Sequence, residues 1–257
     1  MQVPAFIKEV IWSFFPPRYR QIADKPFSRS LRYMSTVLLL AFILAGVLFV
    51  PKLFLLKDTV ESELSKFETF SITSDVKQSD KITIPRHNPW VVVDLNNNLT
   101  LTKEIIVIDS EAVKYRFLGI KSIPHEQLKN VSGNRSGVSR FLTAILLMML
   151  PGIVLLLYIR TWLKYFFLII VAGTLFFIIT ELSRFKLQWK QMLNIAAHAL
   201  TAVIFIEVIS ATVTTAYLLP VLRFLGVSIY AITTAIFLFM MFVGIVGYHI
   251  EDHRRRR

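Results

Sequence analysis

The residues from Phe141 to Tyr248 contain apolar runs that are too long for the core of a soluble domain. Only short basic or Pro/Gly segments interrupt these runs. A helix of about 20 apolar residues crosses the hydrocarbon layer of a bilayer, so this block is predicted to lie in a membrane. Another apolar run, from Tyr33 to about Leu56, carries Lys52 as its one charge. We therefore predict an α-helical integral membrane protein of the cell membrane.

The composition limits the partners that such a chain can have. Hydrophobic residues make up 54% of the sequence, and 29 Lys and Arg residues outnumber 17 Asp and Glu residues. An excess of cations in a membrane protein is typical of contacts with anionic headgroups, so membrane lipids are expected partners. Nucleic acid is not expected, because no basic patch is interleaved with an aromatic readout module. The absence of cysteine excludes disulfides and thiol nucleophiles.

Hydropathy and charge divide the chain into five regions. They are a cytoplasmic amphipathic helix with a basic collar (1–32), a first transmembrane helix (33–57), an extracytoplasmic β-rich domain (58–139), a four-span block (140–249) and a basic tail (250–257). The four-span block is read as runs at 141–158, 165–180, 192–219 and 226–248, with a tight turn at Arg160 to Lys164. This predicts about five transmembrane helices.

The orientation of these spans rests on the positive charges that flank them. On the five-span topology with the N-terminus inside, inner segments carry nine positive residues, and outer segments other than the β-rich domain carry seven. We keep the N-terminus inside because the collar before the first span has the greatest weight. The tail Arg254 to Arg257 then lies outside, unless the second run is re-entrant. The collar residues predicted to meet the membrane surface are Arg18, Arg20, Lys25, Arg29 and Arg32.

The β-rich domain is predicted from short segments of β-branched and aromatic residues. Candidate strands lie at 67–73, 81–84, 90–95, 104–109 and 112–118, followed by a short helix from Ser122 to Lys129. Turn residues after the third and fourth strands indicate an antiparallel meander of the last three. In the last strand Val113, Tyr115 and Phe117 alternate with Lys114 and Arg116, which predicts one buried and one wet face. We therefore expect Tyr115→Asp to unfold the domain and Lys114→Asp to be tolerated.

Three Asn-X-Ser/Thr sequons fall in this region and are possible glycosylation sites in an extracytoplasmic domain. They begin at Asn98, Asn130 and Asn134.

The fourth span contains the polar residues that most need an explanation, because charges inside a membrane are costly. The candidate intramembrane polar residues are Asn194, His198, Glu207 and Ser210. Nine residues separate His198 from Glu207, which places them on opposite sides of one helix. Glu207 either binds a proton or cation beside a cavity or fixes helix packing through hydrogen bonds. We favour the structural interpretation because the third and fifth spans are nearly featureless.

No motif predicts a catalytic residue, a cofactor or a metal site. His249 and His253 have helical metal-ligand spacing, but the four arginines that follow would repel a cation. His87 and His125 have no neighbouring carboxylate cluster at ligand spacing. We therefore do not expect an enzyme.

The layout resembles domain-of-unknown-function family 1189, a group of prokaryotic membrane proteins related to the five-span Yip-type family. The resemblance rests on the start at Phe6-Ile-Lys, the Pro17-Arg18-Tyr19 stretch, and the insert segments Val91-Val-Val-Asp94 and Ile105-Ile-Val-Ile-Asp109. It implies a helical bundle with a β-rich extracytoplasmic insert, and it implies no activity.

Together these features predict a non-enzymatic accessory or scaffold protein that presents its insert to another membrane protein or complex. The alternative is a small transporter or channel subunit that uses the polar residues of the fourth span. A lipid-modifying enzyme ranks third, because paired acid and base residues near a headgroup plane are lacking.

Overall fold

The computed structural model describes residues 5–15, 18–65, 81–84, 89–102, 104–117, 119–126, 135–183, 187–224 and 226–256. The chain forms two compact units. The bundle unit contains residues 1–50 and 152–257, and the insert unit contains residues 51–151.

The described helices account for most of the chain. They are α1 (Ala5–Ser13), α2 (Tyr19–Ala23), α3 (Phe27–Phe54), α4 (Leu56–Ser65), α5 (Arg135–Leu182), α6 (Trp189–Ser210) and α7 (Ala231–Arg256). Within the described residues, four helices are long and apolar enough to cross a membrane: Phe27–Phe54, Ser136–Leu182, Trp189–Ser210 and Ala231–Glu251. The chain is therefore mostly helical with a small β-sheet insert. α4 follows α3 almost directly and belongs to the insert unit.

The second and third predicted spans are parts of one helix. α5 contains 48 residues, and the predicted tight turn at Arg160 to Lys164 is wrong. No glycine or proline lies between these two residues, so nothing in the local sequence stops the helix. At 1.5 Å per residue the helix is about 72 Å long, more than twice the roughly 30 Å hydrocarbon layer.

The fourth predicted span ends earlier than the apolar run does. α6 stops at Ser210, and the chain then forms a hairpin of β6 (Pro220–Phe224) and β7 (Val227–Tyr230) before α7. The segment after Ser210 is rich in Thr and Val, which are weak helix formers, and Pro220 has no amide donor. Gly226 adopts φ +74° in the hairpin turn, a conformation that glycine accepts without steric cost.

α6 is the central helix of the bundle unit, because most of its side chains are buried. Its alanines at 196, 197 and 199 allow neighbouring helices to approach closely. Gly244 of α7 marks another close approach, since a Cβ there would lie 2.7 Å from the Tyr19 ring. In contrast, one side of α3 exposes a run of large apolar residues, which is typical of a lipid-facing surface.

The insert unit contains a five-stranded sheet in sequential order. Its strands are β1 (Ile82–Ile84), β2 (Val91–Val93), β3 (Ile106–Ile108), β4 (Ala112–Arg116) and β5 (Ile120–Pro124). β2 and β3 are parallel, and the other pairs are antiparallel. The antiparallel meander predicted for the last three candidate strands is therefore wrong for its first pair, β2 and β3. The connection at 94–105 has the dozen residues that a parallel crossover requires.

The crossover connection is held by hydrogen bonds to the sheet. Lys114 Nζ donates to Leu99 O at 2.6 Å, and Leu99 N donates to Asp109 Oδ2 at 3.3 Å. These contacts were not predicted, because the Asn-rich segment reads equally well as a tight turn.

Two more predictions for the insert have different outcomes. Residues 120–124 form β5, so the helix predicted to begin at Ser122 is wrong over these residues. The candidate strand at 67–73 lies outside the described residues.

The predicted alternation in β4 is confirmed on its buried side. Tyr115 is 2% exposed and Val113 is buried, whereas Arg116 is exposed. Tyr115, Ile123 and Ala144 form a small apolar core. The Phe141 ring lies 5.2 Å from the Tyr115 ring between centroids. The first turns of α5 thus complete the core of the sheet.

Candidate functional site

Glu207 on α6 is the acceptor for three side chains. It is 7% exposed. Tyr165 on α5 donates its hydroxyl to Glu207 Oε2 at 2.8 Å. Lys164 donates to the same oxygen, and Thr233 on α7 donates to Oε1. Both carboxylate oxygens are therefore occupied by groups from neighbouring helices.

Lys164 is the partner that the sequence did not indicate. It is 1% exposed, and it also donates to Ser228 O at 2.7 Å. Its ammonium lies 5.2 Å and 5.3 Å from the ring centroids of Tyr165 and Tyr230. A charge in an apolar interior needs a counter-charge and hydrogen bonds, and this arrangement supplies both. The cluster of Lys164, Tyr165, Glu207 and Thr233 joins α5, α6 and α7.

His198 belongs to a separate hydrogen-bonded chain near the middle of α6. Its Nδ1 lies 2.9 Å from Ser13 Oγ, and Ser13 Oγ lies 2.9 Å from the Tyr33 hydroxyl. The Tyr33 hydroxyl in turn lies 2.9 Å from Thr201 Oγ1. The Tyr33 ring stacks on the His198 ring at 4.1 Å. This chain joins α1, α3 and α6.

Asn194 performs a capping role. Its Nδ2 donates to Ala23 O at 2.8 Å and to Lys25 O at 2.7 Å. These carbonyls lie at and just after the end of α2, where backbone acceptors have no helical partner. Ser210 contacts the Tyr217 hydroxyl instead. The four polar residues singled out on α6 are thus divided among separate sites, and His198 and Glu207 contact different helices.

The collar cations are divided between protein contacts and solvent. Lys25 Nζ and Arg29 Nη2 each donate to Glu9 Oε1 at 2.7 Å, and Arg20 lies 4.0 Å from Asp24. Arg18 and Arg32 are exposed. The guanidinium groups of these two form no ion pair with any described residue.

Asp109 is a buried charge of the insert with several polar partners. It accepts hydrogen bonds from the amides of Glu111 and Ala112 at 2.9 and 2.8 Å and lies 2.5 Å from Lys114 Nζ. Burial raises the pKa of Asp109, but Lys114 and the backbone amides outweigh burial and hold that pKa below its usual value. The ionised side chain therefore fixes the turn between β3 and β4.

The β1 side of the sheet exposes large apolar side chains. Ile82 is 49% exposed, Ile84 is 58% exposed and Trp90 is 64% exposed. Among the described strands, β1 pairs with β2 alone. We call Ile82, Thr83 and Ile84 the β1 edge. Trp90 is next to this edge but not part of it, because its backbone bonds to Ile84 on one side and to Ile105 and Ile106 on the other.

A family model described as "Protein of unknown function (DUF1189)" matches residues 7–241. The chain belongs to this family. The match confirms the family indicated by the sequence, whereas the relation to Yip-type proteins stays a prediction. No curated protein and no solved structure matches the chain.

The structure describes the first of the three predicted sequons of this DUF1189 protein. Asn98 is exposed, donates to Glu111 Oε2 at 2.8 Å and accepts from Lys114 Nζ at 2.8 Å. Asn130 and Asn134 lie outside the described residues. Use of the sequons stays a prediction.

Proposed function

We propose that this DUF1189 protein is a non-enzymatic accessory or scaffold protein of the cell membrane that presents its insert to another membrane protein. The β1 edge carries the proposal, because it combines a sheet edge with two large exposed apolar side chains, Ile82 and Ile84, and the exposed Trp90 lies next to them. An edge strand offers backbone donors and acceptors to an incoming strand, and exposed side chains beside it add apolar contact area. A protein segment in extended conformation is the partner that fits these features.

The polar residues of the bundle support an accessory role rather than transport. Three side chains of the bundle donate to Glu207, whereas His198 is hydrogen-bonded to Ser13 and stacked on Tyr33. A transported ion or proton would have to compete with Lys164 for Glu207. We therefore propose that these residues hold helices together.

We further propose four membrane crossings, with both termini in the cytoplasm. On this topology thirteen positive residues flank the inner ends of the helices, and Arg223 is the one positive residue in the outer connection between α6 and α7. Arg160 and Lys164, which the five-span count placed inside, lie within α5 and are not counted here. This distribution follows the positive-inside rule far better than the five-span count of nine against seven. The four-arginine tail then lies inside.

The side of the C-terminus tests this topology. A fluorescent protein that matures only in the cytoplasm is fused after Arg257, and bright cells are expected. Ser110→Cys in the insert is expected to react with an impermeant maleimide in intact cells, whereas Ser28→Cys is not. A dark fusion with the same labelling would restore five crossings, and reversed labelling would overturn the orientation.

Site-specific photocrosslinking tests the partner. A photoreactive phenylalanine replaces Ile84 in the full chain, and an equivalent replacement of the exposed Ser110 is the control. We expect Ile84 to give a discrete crosslinked protein that mass spectrometry identifies, and Ile84→Lys to abolish its co-purification. Equal crosslinking at both positions would contradict a partner at the β1 edge. The absence of a crosslinked protein at both positions would contradict it too.

A further inference from the structure

An open groove lies in the bundle unit beside the first turns of α3. Its volume is about 450 Å³. The lining residues come from α1 and α3: Phe6, Glu9, Ser28, Arg29, Arg32, Tyr33 and Thr36. The groove therefore lies at the start of a predicted membrane span, where headgroups are expected.

The charge of the groove is positive despite the carboxylate in its wall. Glu9 is buried, and its Oε1 accepts from Lys25 at 2.7 Å and from Arg29 at 2.7 Å. One negative charge thus faces two positive ones. Arg32 adds another cation, and its guanidinium binds no described carboxylate. The groove consequently favours an anion and leaves Arg32 available to bind it.

The face of α3 that lines the groove changes character along the helix. Positions with an average spacing of 3.6 residues lie on one face of a helix. On this face of α3 they are Arg29, Arg32, Thr36, Leu40, Ile43 and Val47. Leu40, Ile43 and Val47 are exposed. The face therefore begins with two cations and a hydroxyl and continues as an apolar track toward the membrane interior.

α1 borders the groove with a second amphipathic surface. Its lining residues are Phe6 and Glu9, and the Phe6 ring packs 5.8 Å from the Tyr33 ring. Ile7, Ile11, Phe14 and Phe15 are exposed. A short helix with an apolar exposed stripe is typical of the membrane interface.

We propose that this groove binds an anionic phospholipid. Arg32 and Arg29 bind the phosphate, the Ser28 hydroxyl is positioned to donate to it, and an acyl chain follows Leu40, Ile43 and Val47. The order of cationic, hydroxyl and apolar groups along one helix face matches the order of groups in such a lipid. A free phosphate would use the cations but not the apolar track. The site is independent of any partner at the β1 edge.

Native mass spectrometry of the full chain in neutral detergent tests the proposal. Phosphatidylglycerol and phosphatidylcholine are titrated separately, with and without millimolar inorganic phosphate. We expect a saturable adduct with phosphatidylglycerol and at least tenfold weaker binding of phosphatidylcholine. Arg32→Gln is expected to weaken phosphatidylglycerol binding about tenfold, since it removes a charge-assisted hydrogen bond. Thr36→Phe, which fills the groove without changing charge, is expected to weaken binding by a similar factor.

Arg18→Gln is the matched control, because it removes an exposed collar cation that does not line the groove. It is expected to leave binding within twofold of the unmodified chain. An equal loss in Arg18→Gln and Arg32→Gln would mean diffuse attraction to the collar and would overturn the site. Displacement of the lipid by millimolar phosphate would also overturn it in favour of a phosphate site. Thermal melts of each variant establish that the bundle remains folded.

Discussion

Replacement of Glu207 by leucine is expected to lower the free energy of unfolding of the full chain by about 3–5 kcal/mol. The substitution leaves the ammonium of Lys164 buried without its carboxylate, and it removes the acceptor for Tyr165 and Thr233. A buried charge that loses its partner is more costly than the absence of both charges. Thermal and denaturant unfolding in detergent measure the change.

The double variant Glu207→Leu with Lys164→Met shows whether the loss of stability comes from the unpaired Lys164 charge or only from a change at a buried position. It is expected to recover most of the loss, because a buried ion pair can often be replaced by apolar residues with little cost. Glu181→Leu is the matched control, since Glu181 is exposed near the end of α5. If Glu207→Leu costs no more than Glu181→Leu, or if the double variant is as unstable as Glu207→Leu, the pairing is wrong.

Tyr115→Asp is expected to unfold the insert unit while the bundle remains folded. The change places a carboxylate among the apolar side chains of Ile106, Ile123 and Phe141. A buried charge together with a lost aromatic side chain costs several kcal/mol, roughly the whole stability expected of so small a sheet. Limited proteolysis of the full chain measures it, because cleavage within residues 81–126 reports local unfolding.

The control for Tyr115→Asp has to leave the ion pair between Asp109 and Lys114 intact. Lys114 lies 2.5 Å from Asp109, so Lys114→Asp would set two carboxylates side by side. The sequence alone predicted that Lys114→Asp would be tolerated. The structure leads us to expect that it is not. Ser122→Asp is the better control, since Ser122 is exposed and lies opposite Lys114 in the register of β4 and β5, on the other face of the sheet from Tyr115. Equal cleavage in Tyr115→Asp and Ser122→Asp would contradict the assigned buried face.

Features set by local patterns could be predicted from the sequence. The lengths of the apolar runs indicated membrane helices. The alternation in β4 indicated that the face of the strand that carries Tyr115 is buried. The separation of His198 from Glu207 followed from helical rotation alone. Each of these depends on residues that are close together in the chain.

Features that depend on distant residues were missed. Lys164 and Glu207 are 43 positions apart, and the positive charge of Lys164 suggested a turn at the membrane surface instead of a buried partner. The parallel pairing of β2 with β3 depends on how the 94–105 connection crosses the sheet, which turn residues do not determine. The end of α6 at Ser210 lies within an apolar run, so hydropathy gives no boundary there.

The contact between Ser13 and His198 has a consequence for the order of synthesis. The two residues are 185 positions apart, and at typical translation rates of about 5–20 residues per second this is a delay of roughly 10–40 s. α1 has nine residues, too few for a stable isolated helix in water. α1 therefore has to wait for α6 before its contacts are complete. During the delay its apolar stripe is exposed, and the membrane surface is the nearest place where that stripe can be buried.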